Sequence, residues 1–445
     1  MKTILICVDH KWRDLPSSSY LKILLEKKGY DVKLVREQLM KYYVEGYNPY
    51  AVIFGHLYDP KRQNFAINLS NRNIKVFLLP TEGIPTLKTY REFASGRFNN
   101  LSGVETQFCW NDEMAHIVAK NETLKSVETV GVPRFDFYHK DFKKIFKEKS
   151  HLCLQYGIKP NLPIITFATN FTQAQFHTKN KDFFIKDSKK LGYDSVKDKD
   201  HINISDMPKS DFESRELTMN FFLDTVEYFD NYNFIIKTHP SEDFTFYQNF
   251  INEKCSRFKD RIALINKEYI WDILNISNIQ FSRSCTTAVE SWLLGLPTIE
   301  LRLNKNEWYI SEDFSSGSFL AINKSKAFKL IKKLSNDSSI PNILLNKRKL
   351  FFEKWCYKID GSSTERIVNH IDLTIRENKK PKRTFNLFNY IIFLFLFISN
   401  DLIHDIRVYG ISYFLGNKYD KLGREDKYIT KKDIQFWSKK LDFLT

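Results

Sequence analysis

Short apolar runs alternate along this chain with longer stretches in which apolar residues recur every third or fourth position. The short runs, rich in Val, Ile and Phe, are typical of buried strands, and the longer stretches are typical of amphipathic helices. Within residues 1–150 the pattern predicts strands at 3–8, 31–35, 51–54, 75–79, 106–110 and 127–130, with helices that include 19–28 and 112–120. This alternation predicts an α/β domain with a parallel sheet between layers of helices.

The same alternation returns between residues 151 and 345. Strands are predicted at 163–169, 234–238, 262–265 and 279–281, and helices at 216–229 and 244–255. We therefore expect a second doubly wound domain. The basic stretch 139–150 predicts a linker helix, and the charged stretch 179–210 predicts an insertion or mobile loop. Further helices are predicted at 349–358 and 364–377, followed by a helical tail over 379–445.

The segment 279–301 reads as a strand, a polar turn, a helix and a second strand. Its turn and helix start carry the polar residues Ser282, Arg283, Ser284, Thr286 and Thr287. The helix dipole and the unpaired N–H groups of a helix N-terminus favour a phosphate. Glu290, one turn further along, is placed to accept hydrogen bonds from ribose hydroxyls. An ordinary strand-to-helix connection with Ser/Thr caps has the same pattern, so both interpretations stay open.

A second polar cluster follows the strand predicted at 234–238. That strand carries Lys237 to its end, where His239 and Pro240 follow. Asn170 comes directly after the strand predicted at 163–169. Ligands of open α/β sheets bind at the carboxyl ends of strands, so these residues are candidates for the same site as the turn at 282–287. A lone histidine is more often structural, but a His-Pro pair at a strand end is a more specific signal.

The strand ends of the first domain carry candidates for chemistry. Asp9 and Arg13 follow the first predicted strand, His56 follows the third, and Glu82 follows the fourth. Glu82 is the preferred catalytic carboxylate, because Gly83 and Pro85 are expected to hold its loop rigid. Asp9 and His56 are the next candidates, and Arg13 is placed to bind a substrate carboxylate. Solvated loops at these positions are the alternative.

These motifs resemble bacterial surface-carbohydrate glycosyltransferases of the GT-B fold, which are similar to capsule Kdo transferases, pseudaminyltransferases and, more distantly, sialyltransferases. The resemblance spans about residues 1–378 and is carried by residues 237–240, 284–290, 130–136, 168–171 and 360–363. It implies two Rossmann-like domains that face a cleft: an acceptor and catalytic domain over 1–150 and a nucleotide-sugar domain over 151–345. It also implies crossing helices over 346–378. Cys285 departs from the family, in which a second serine is usual at this position.

The resemblance implies transfer of a CMP-activated keto-sugar (pseudaminic acid, another nonulosonic acid or Kdo) onto a capsule or other surface glycan. The CMP-sugar is the donor substrate, and neither a cofactor nor a metal is expected. The Asp198-Lys199-Asp200 sequence lies in a Lys-rich stretch with no strand before it, which argues against a metal site. A UDP-sugar transferase, a sugar-nucleotide epimerase and a non-catalytic glycan-assembly subunit are the alternatives on the same fold.

Composition bears on the compartment and the partners. The 445 residues carry a net charge of +15, and no RRM, zinc-finger or helix-turn-helix signature accompanies it, so no nucleic acid is expected. Six scattered cysteines without a CxxC pair indicate neither a zinc site nor a disulfide framework, which fits a reducing cytosol. Residues 1–8 are too short and wrongly flanked for a signal peptide.

The tail combines a basic cluster with an apolar segment. Lys379, Lys380, Lys382 and Arg383 precede the segment 387–398, whose uninterrupted apolar run is shorter than the ~20 residues of a spanning helix. We therefore expect residues 379–405 to bind the anionic inner face of the cytoplasmic membrane peripherally. A buried packing helix or a dimer contact is the alternative. Since both predicted domains end before residue 378, a chain that stops there is expected to fold.

Overall fold

The computed structural model describes residues 1–82, 84, 99–178, 180–190, 204–305, 307–308, 310–383, 386–398 and 429–444. The chain divides into two compact units, the first formed by Met1–Asp141 with Phe352–Thr445 and the second by Phe142–Phe351. Gly83, Pro85 and the Asp198-Lys199-Asp200 sequence lie outside the described residues.

The first unit contains a six-stranded parallel sheet among its described residues. Its strands are β1 (Thr3–Val8), β2 (Asp31–Arg36), β3 (Ala51–Phe54), β4 (Lys75–Leu78), β5 (Thr106–Cys109) and β6 (Val127–Thr129), in the order β2-β1-β3-β4-β5-β6. The chain first adds β2 on one side of β1 and then returns to place β3 on the other side. The topological switch point therefore lies between β1 and β3, where open α/β sheets bind ligands.

Helices cover both faces of this sheet. The N-terminal part of the unit supplies α1 (Leu15–Lys27), α2 (Met40–Tyr47), α3 (Pro60–Asn71) and α4 (Asp112–Val118). Alternate residues of β1 enter different cores: Ile4 and Ile6 pack in the cluster that contains Leu21 and Leu25 of α1, whereas Leu5 packs in the cluster that contains Val44 of α2. The short apolar strands are thus buried on both faces, as parallel sheets require.

The second unit repeats this architecture. Its strands are β7 (Ile164–Ala168), β8 (Asn233–Lys237), β9 (Ile262–Ile265), β10 (Ile279–Ser282), β11 (Thr298–Leu301) and β12 (Phe319–Ala321), all parallel in the order β12-β11-β10-β7-β8-β9. The described helices within it are α5 (Lys149–Tyr156), α6 (Lys181–Lys190), α7 (Met207–Tyr228), α8 (Phe244–Lys254), α9 (Ile270–Ile276), α10 (Thr286–Leu293), α11 (Glu312–Ser315) and α12 (Lys324–Asn336). Helix α13 (Asn342–Trp355) begins in this unit, and its residues from Phe352 onwards belong to the first unit. The switch point of this sheet lies between β7 and β10.

The structure differs from both predictions about charged stretches. Of the stretch 179–210, predicted as an insertion or mobile loop, residues 181–190 form α6 and residues 207–210 begin α7, whereas residues 191–203 lie outside the described residues. The buried polar residues of α7, Asp211 among them, hide its helical pattern. The basic stretch 139–150 is not a linker helix. Lys140–Ile145 forms 3-10 turns that bury Phe142 and Ile145, and α5 begins only at Lys149.

The C-terminal residues complete the first unit. They form α14 (Ser363–Arg376), α15 (Leu387–Ile398) and α16 (Lys431–Lys440). Helices α14 and α16 pack against α1, and α15 packs against α2. Trp437 and Leu441 are fully buried. Residues after 378 therefore supply part of the core of the first unit, whereas the sequence predicted that both domains end before residue 378.

Candidate functional site

The carboxyl ends of β7, β8 and β10 bring the predicted nucleotide-site residues of the second unit to one edge of the sheet. Strand β7 pairs with β8 on one side and with β10 on the other. Asn170, His239, Thr286 and Thr287 are partly exposed and Pro240 is exposed, whereas the remaining candidates are buried: Lys237, Ser282, Arg283, Ser284 and Glu290. The site thus combines solvent-accessible polar groups with buried polar groups that hold the surrounding loops.

Glu242 ties the loops after β7 and β8 together. One carboxylate oxygen accepts hydrogen bonds from Thr169 Oγ1 at 2.7 Å and from the Tyr247 hydroxyl, and the other accepts from the Phe171 N–H at 2.5 Å. Burial raises the pKa of Glu242, although Tyr247, Phe171 and Thr169 donate to its charged form. These bonds fix the loop that carries Asn170.

His239 has a defined orientation at this edge of the sheet. Its backbone N–H donates to Thr169 Oγ1 at 3.3 Å, and its Nδ1 accepts a hydrogen bond from the Ser241 N–H at 3.1 Å. A neutral imidazole that accepts at Nδ1 carries its proton at Nε2. The ring is therefore in the tautomer that offers an Nε2–H donor.

Lys237 lies below the surface of the same edge. Its ammonium donates to the Asn266 carbonyl at 3.0 Å and to the Thr238 carbonyl at 3.2 Å. Burial lowers the pKa of Lys237 to about 8. Two hydroxyls at this sheet edge, Thr238 Oγ1 after β8 and Ser282 Oγ at the end of β10, are buried and have no hydrogen-bond partner within the described part of the chain. Such unpaired buried groups are costly and suggest bound water or ligand atoms nearby.

The turn after β10 is held by the buried carboxyl group of Glu300 on β11. Ser284 has a left-handed backbone with φ of 43°, which is strained for a residue other than glycine. Its N–H and Oγ both donate to Glu300 Oε1, at 2.7 and 3.0 Å, and its Oγ accepts from the Ser311 N–H at 3.1 Å. Glu300 Oε2 has no hydrogen-bond partner among the described residues, and burial raises the pKa of Glu300 to about 8.

Arg283 is the centre of a buried ion-pair network. Its guanidinium donates to Glu307 at 2.6 Å, to Asp211 at 3.0 Å and to the Asn170 carbonyl at 2.8 Å. Burial opposes its charge, but Asp211 and Glu307 raise the pKa of Arg283 above its usual value. All three guanidinium nitrogens of Arg283 donate a hydrogen bond. Arg283 thereby links the β10 turn to α7 and to the loop after β7, across the switch point.

Helix α10 points its N-terminus at the same edge. Cys285 is its N-cap residue, and no side-chain oxygen caps the helix there. Thr286 and Thr287 form its first turn, and Glu290 follows in the buried part of the helix. The positive end of the helix dipole and the first N–H groups therefore lie at the same carboxyl edge of the sheet as the loop that carries His239, with β7 between the two strands. A helix N-terminus at such an edge is suited to an anion.

In the first unit, Arg13 gathers the carboxylates at the β1 end. It pairs with Asp14 at 2.7 Å, with Glu82 at 2.8 Å and with Asp9 at 3.4 Å. Burial opposes the guanidinium charge, but Asp14, Glu82 and Asp9 together hold the pKa of Arg13 above its usual range. Asp14 is buried, whereas the Glu82 side chain is 74% exposed. Glu82 is therefore the member of this cluster that is most accessible from solvent.

His56 lies beside the same cluster. Its ring stacks on Tyr58 with centroids 4.8 Å apart. One ligand atom each from Asp9, Glu37 and His56 lies within 4.8 Å of the others, a spacing compatible with a cation. Asp9 also pairs with Arg13, and Glu37 pairs with Arg62. Because both carboxylates already pair with an arginine, these three residues are a weak candidate for a metal site.

A pocket opens at the β1/β3 switch point of the first unit. Its lining includes Arg13, Asp14, Ser17 and Ser18 around the start of α1, together with Thr81 and Arg134. The Arg134 guanidinium lies 5.3 Å from the ring centroid of Trp110, which also lines the pocket. Arg13 and Asp14 of the cluster therefore line a cavity with both charged and apolar walls, whereas Asp9, His56 and Glu82 are not among its lining residues.

Sequence reasoning missed several members of these clusters. Asp14 precedes Leu15-Pro16, and an acidic residue before a proline in the first turn is an N-cap signal that was available. Glu242, Asp211 and Glu300 gave no such signal, because their partners lie far away in the sequence.

The sequence matches no protein-family model and no curated protein. Solved structures do resemble the chain. MnaA of S. aureus with UDP has a TM-score of 0.53 at 15% identity, covering 86% of this chain and 100% of that one. The UDP-GlcNAc 2-epimerase of Methanocaldococcus jannaschii with UDP-GlcNAc and UDP has a TM-score of 0.51 at 13% identity, covering 84% and 100%.

The wall teichoic acid polymerase TagF, in a variant soaked with CDPG, has a TM-score of 0.51 at 11% identity, covering 84% of this chain and 89% of that one. At such identities the likeness shows the fold alone. It confirms the predicted GT-B type of fold, with two α/β units that each contain a six-stranded parallel sheet in their described residues.

Proposed function

We propose that the chain is a glycosyltransferase that moves a CMP-activated keto-sugar onto a bacterial surface glycan or a lipid-linked glycan. The broader part, an enzyme that acts on sugar nucleotides, is supported by the ligands named for the similar structures: UDP, UDP-GlcNAc and CDPG. The narrower part, a donor of the Kdo, pseudaminic acid or other nonulosonic acid class, is supported by the motifs at 237–240 and 284–290.

The observation that carries the proposal is the β7/β10 switch point of the second unit. There α10 begins after β10 at the same carboxyl edge of the sheet at which His239 follows β8. The His239 Nδ1 accepts a hydrogen bond from the Ser241 N–H, which leaves Nε2 to act as a donor. Thr286 and Thr287 are partly exposed at the same edge. A nucleotide phosphate is the ligand whose charge and acceptor oxygens suit these donors.

These groups can stabilise a leaving nucleotide phosphate without a metal. Donors and dipoles fixed before the reaction stabilise developing charge at no reorganisation cost. His239 and the first N–H groups of α10 would take that role, and Glu290 would bind the ribose. Lys237 and Arg283 would act through the loops they hold, because their charged groups contact neighbouring carbonyls and carboxylates. Undiminished turnover in excess chelator is expected, and loss of turnover would point to the triangle of Asp9, Glu37 and His56.

Within the first unit we propose Glu82 as the catalytic carboxylate, with Asp9 and His56 next, and Arg13 as the group that binds a substrate carboxylate. The exposed Glu82 side chain is accessible to an acceptor, and its pairing with Arg13 orients it. Glu82→Gln should retain donor binding and lose turnover, because a group used only in the transition state affects kcat. Glu365→Gln, an exposed change on α14, is the control. Full activity of Glu82→Gln would transfer the role to Asp9 or His56.

Calorimetric titration of the protein with CMP, UDP, CDP and GDP tests the donor class. CMP should bind most tightly, and CMP release should then require both a CMP-keto-sugar and a glycan acceptor. Binding of UDP in preference to CMP would contradict the CMP donor while leaving a sugar-nucleotide enzyme in place. Binding of none of the four would favour a non-catalytic glycan-assembly subunit.

A UDP-sugar epimerase is the second candidate, because one of the similar structures is named as a UDP-GlcNAc 2-epimerase with both UDP-GlcNAc and UDP bound. The two functions differ in their need for an acceptor. An epimerase converts UDP-GlcNAc by itself, and NMR would show a second set of sugar signals. Unchanged spectra with UDP-GlcNAc alone, together with acceptor-dependent nucleotide release, would support the transferase.

The proposed location is the cytoplasmic face of the membrane, where the protein would act as a peripheral protein. In the described part of the chain, none of the helices combines the length and apolarity needed to cross a bilayer. The basic cluster beside α15 supports a peripheral contact with anionic lipid. Of the segment 379–405 to which this contact was assigned, residues 399–405 lie outside the described residues.

A further inference from the structure

Helix α15 is fixed on the first unit by one of its two faces. Phe393 and Leu396 are buried against α2. The Phe393 ring lies with its centroid 5.5 Å from that of Tyr43 and 5.3 Å from that of Tyr47. It also covers Gly46, where an added Cβ would come within 2.4 Å of the ring. This packing determines which side of α15 faces away from α2.

The other side of α15 is apolar and exposed. We call it the outward face, and it consists of Leu387, Phe388, Ile391, Leu394, Phe395 and Ile398. At 100° per residue these positions fall within a sector of about 120°. Phe388 is 72% exposed and Ile398 is 81% exposed. A contiguous exposed apolar surface of this kind marks an interaction site.

The charge of the residues beside α15 indicates what binds to the outward face. Lys379, Lys380, Lys382 and Arg383 are exposed beside the helix, and residues 379–398 contain no acidic residue. A two-fold dimer through the outward face would bring two copies of this cationic stretch together, which like-charge repulsion disfavours. An anionic bilayer surface offers both an acyl boundary for the apolar side chains and phosphates for the cations.

We infer that the outward face of α15 and the basic stretch 379–383 dock the chain on an anionic lipid surface, with the helix lying in the membrane plane. Twelve residues at 1.5 Å each make a helix of about 18 Å, against the ~30 Å of a hydrocarbon core, so α15 lies in the interface and does not span it. The inference gives the proposed membrane location its contact surface. It requires no nucleotide binding, so either proposal can fail while the other holds.

Co-sedimentation of the full chain with vesicles tests this. Binding to phosphatidylcholine vesicles that contain phosphatidylglycerol should exceed binding to phosphatidylcholine alone at least tenfold. It should weaken in ~1 M salt, where the Debye length falls to about 3 Å. The double variant Phe388→Gln with Phe395→Gln should reduce binding at least tenfold. Leu373→Gln, which changes an exposed apolar residue of α14, should not.

A variant with fewer positive charges tests the lipid contact without changing the apolar side chains of α15. Lys379→Gln, Lys380→Gln and Lys382→Gln combined should weaken binding to the anionic vesicles, whereas neutralising Lys326, Lys329 and Lys333 on α12 should not. Wild-type failure to bind the anionic vesicles, or equal binding by wild type and the Phe388/Phe395 variant, would overturn the inference. Conversion of a dimer to a monomer by that variant, without a change in lipid binding, would instead assign the face to self-association.

Discussion

Three buried acidic side chains organise the sheet edge of the second unit. Glu242 holds the loops after β7 and β8, Glu300 holds the strained turn at Ser284, and Asp211 receives Arg283. Each accepts hydrogen bonds from groups that would otherwise be buried without partners, and an unpaired buried polar group costs about 1–3 kcal/mol. The loops that carry the accessible donors, His239 among them, are thus held in a fixed geometry by buried hydrogen bonds.

The role of His239 is testable by substitution. His239→Ala removes a donor proposed to contact a phosphate, and a hydrogen bond to a charged group contributes about 1.5–3 kcal/mol. We expect the Kd for the bound nucleotide to rise roughly 10- to 100-fold, since about 1.4 kcal/mol corresponds to tenfold. Calorimetric titration with the nucleotide gives the value. His151→Ala, an exposed histidine of α5, serves as the control, and equal affinity in both variants would remove His239 from the site.

Glu300 should make stability depend on pH. Burial raises its pKa from 4.5 to about 8, with Arg302 and Glu307 as the nearby charges. Between those values the native protein holds a proton that the unfolded chain releases, so the free energy of unfolding falls as pH rises. The contribution is at most about 5 kcal/mol, at about 1.4 kcal/mol per pKa unit. Glu300→Gln keeps a neutral acceptor and should flatten this dependence in urea unfolding measured from pH 5 to 9.

The control for this measurement is Glu300→Ala. It removes the acceptor of the Ser284 N–H and Oγ, so it should be less stable than Glu300→Gln at every pH, by about 1–3 kcal/mol for each donor left unpaired. Parallel pH profiles of wild type and Glu300→Gln would show that the native carboxyl is not protonated across this range.

At the scale of elements, two motifs that carried the family resemblance form one helix cap. Asp136, from the motif 130–136, accepts hydrogen bonds from Ser363 N at 3.0 Å, Thr364 N at 2.8 Å and Thr364 Oγ1 at 2.7 Å. Arg366 then reaches back to the Val130 carbonyl at 2.8 Å. The motif at 360–363 is thus the start of α14, and its described contacts are with Asp136's segment and not with the candidate site.

Asp136→Ala should destabilise the first unit by about 2–4 kcal/mol. It removes the cap of α14 and leaves buried donors unpaired, and loss of an N-cap alone costs about 0.5–2 kcal/mol. Burial raises the pKa of Asp136, so the carboxyl is part of the core and not of the solvated surface. Urea unfolding measures the change. Asp141→Ala, whose side chain is 64% exposed, should cost less than half as much, and similar losses in the two variants would contradict the cap.

Elements differ in how well the sequence predicts them, and burial explains the difference. Strands β1, β3 and β9 match their predicted bounds, because buried parallel strands are plain apolar runs. Strand β12 was missed, since it has three residues and its central Leu320 is exposed. The first half of α7 was missed because it buries polar residues that pair with distant partners, as Asp211 does with Arg283.

For the candidate site too, the sequence predicts local features better than tertiary ones. The predicted residues do lie at strand ends, because the position of a strand end is a local property of the sequence. Which of them is accessible is decided by tertiary partners: Arg283 is buried by Asp211 and Glu307, whereas His239 remains partly exposed.

At the scale of the whole molecule, the first unit is assembled from both ends of the chain. Helix α14 packs its Ile367 and Ile371 into the cluster that contains Ile4 and Ile6 of β1. The last helix, α16, packs against α1, where Lys11 pairs with Asp433 at 2.7 Å. The core of this unit therefore cannot close until the C-terminal residues are present.

This dependence gives a sharp prediction for α16. Trp437 is fully buried, and its ring centroid lies 6.1 Å from that of Phe137. Trp437→Ala should cost about 3–5 kcal/mol, as large-to-small changes of buried aromatic residues do, out of a total that is typically about 5–15 kcal/mol. A chain that ends at Glu377 loses this residue together with Leu441, Phe393 and Leu396, so it should fail to fold.

Urea unfolding of the full chain measures the effect of Trp437→Ala, with Phe436→Ala as the matched control, because the Phe436 side chain is 52% exposed on the same helix. The control should cost clearly less than Trp437→Ala, because about half of the Phe436 side chain is already exposed, although its ring centroid lies 5.8 Å from that of Trp437. A stable, cooperatively unfolding chain that ends at Glu377, or equal stability of the two alanine variants, would show that α16 adds nothing to the core. The first unit would then be complete without the residues that follow α14.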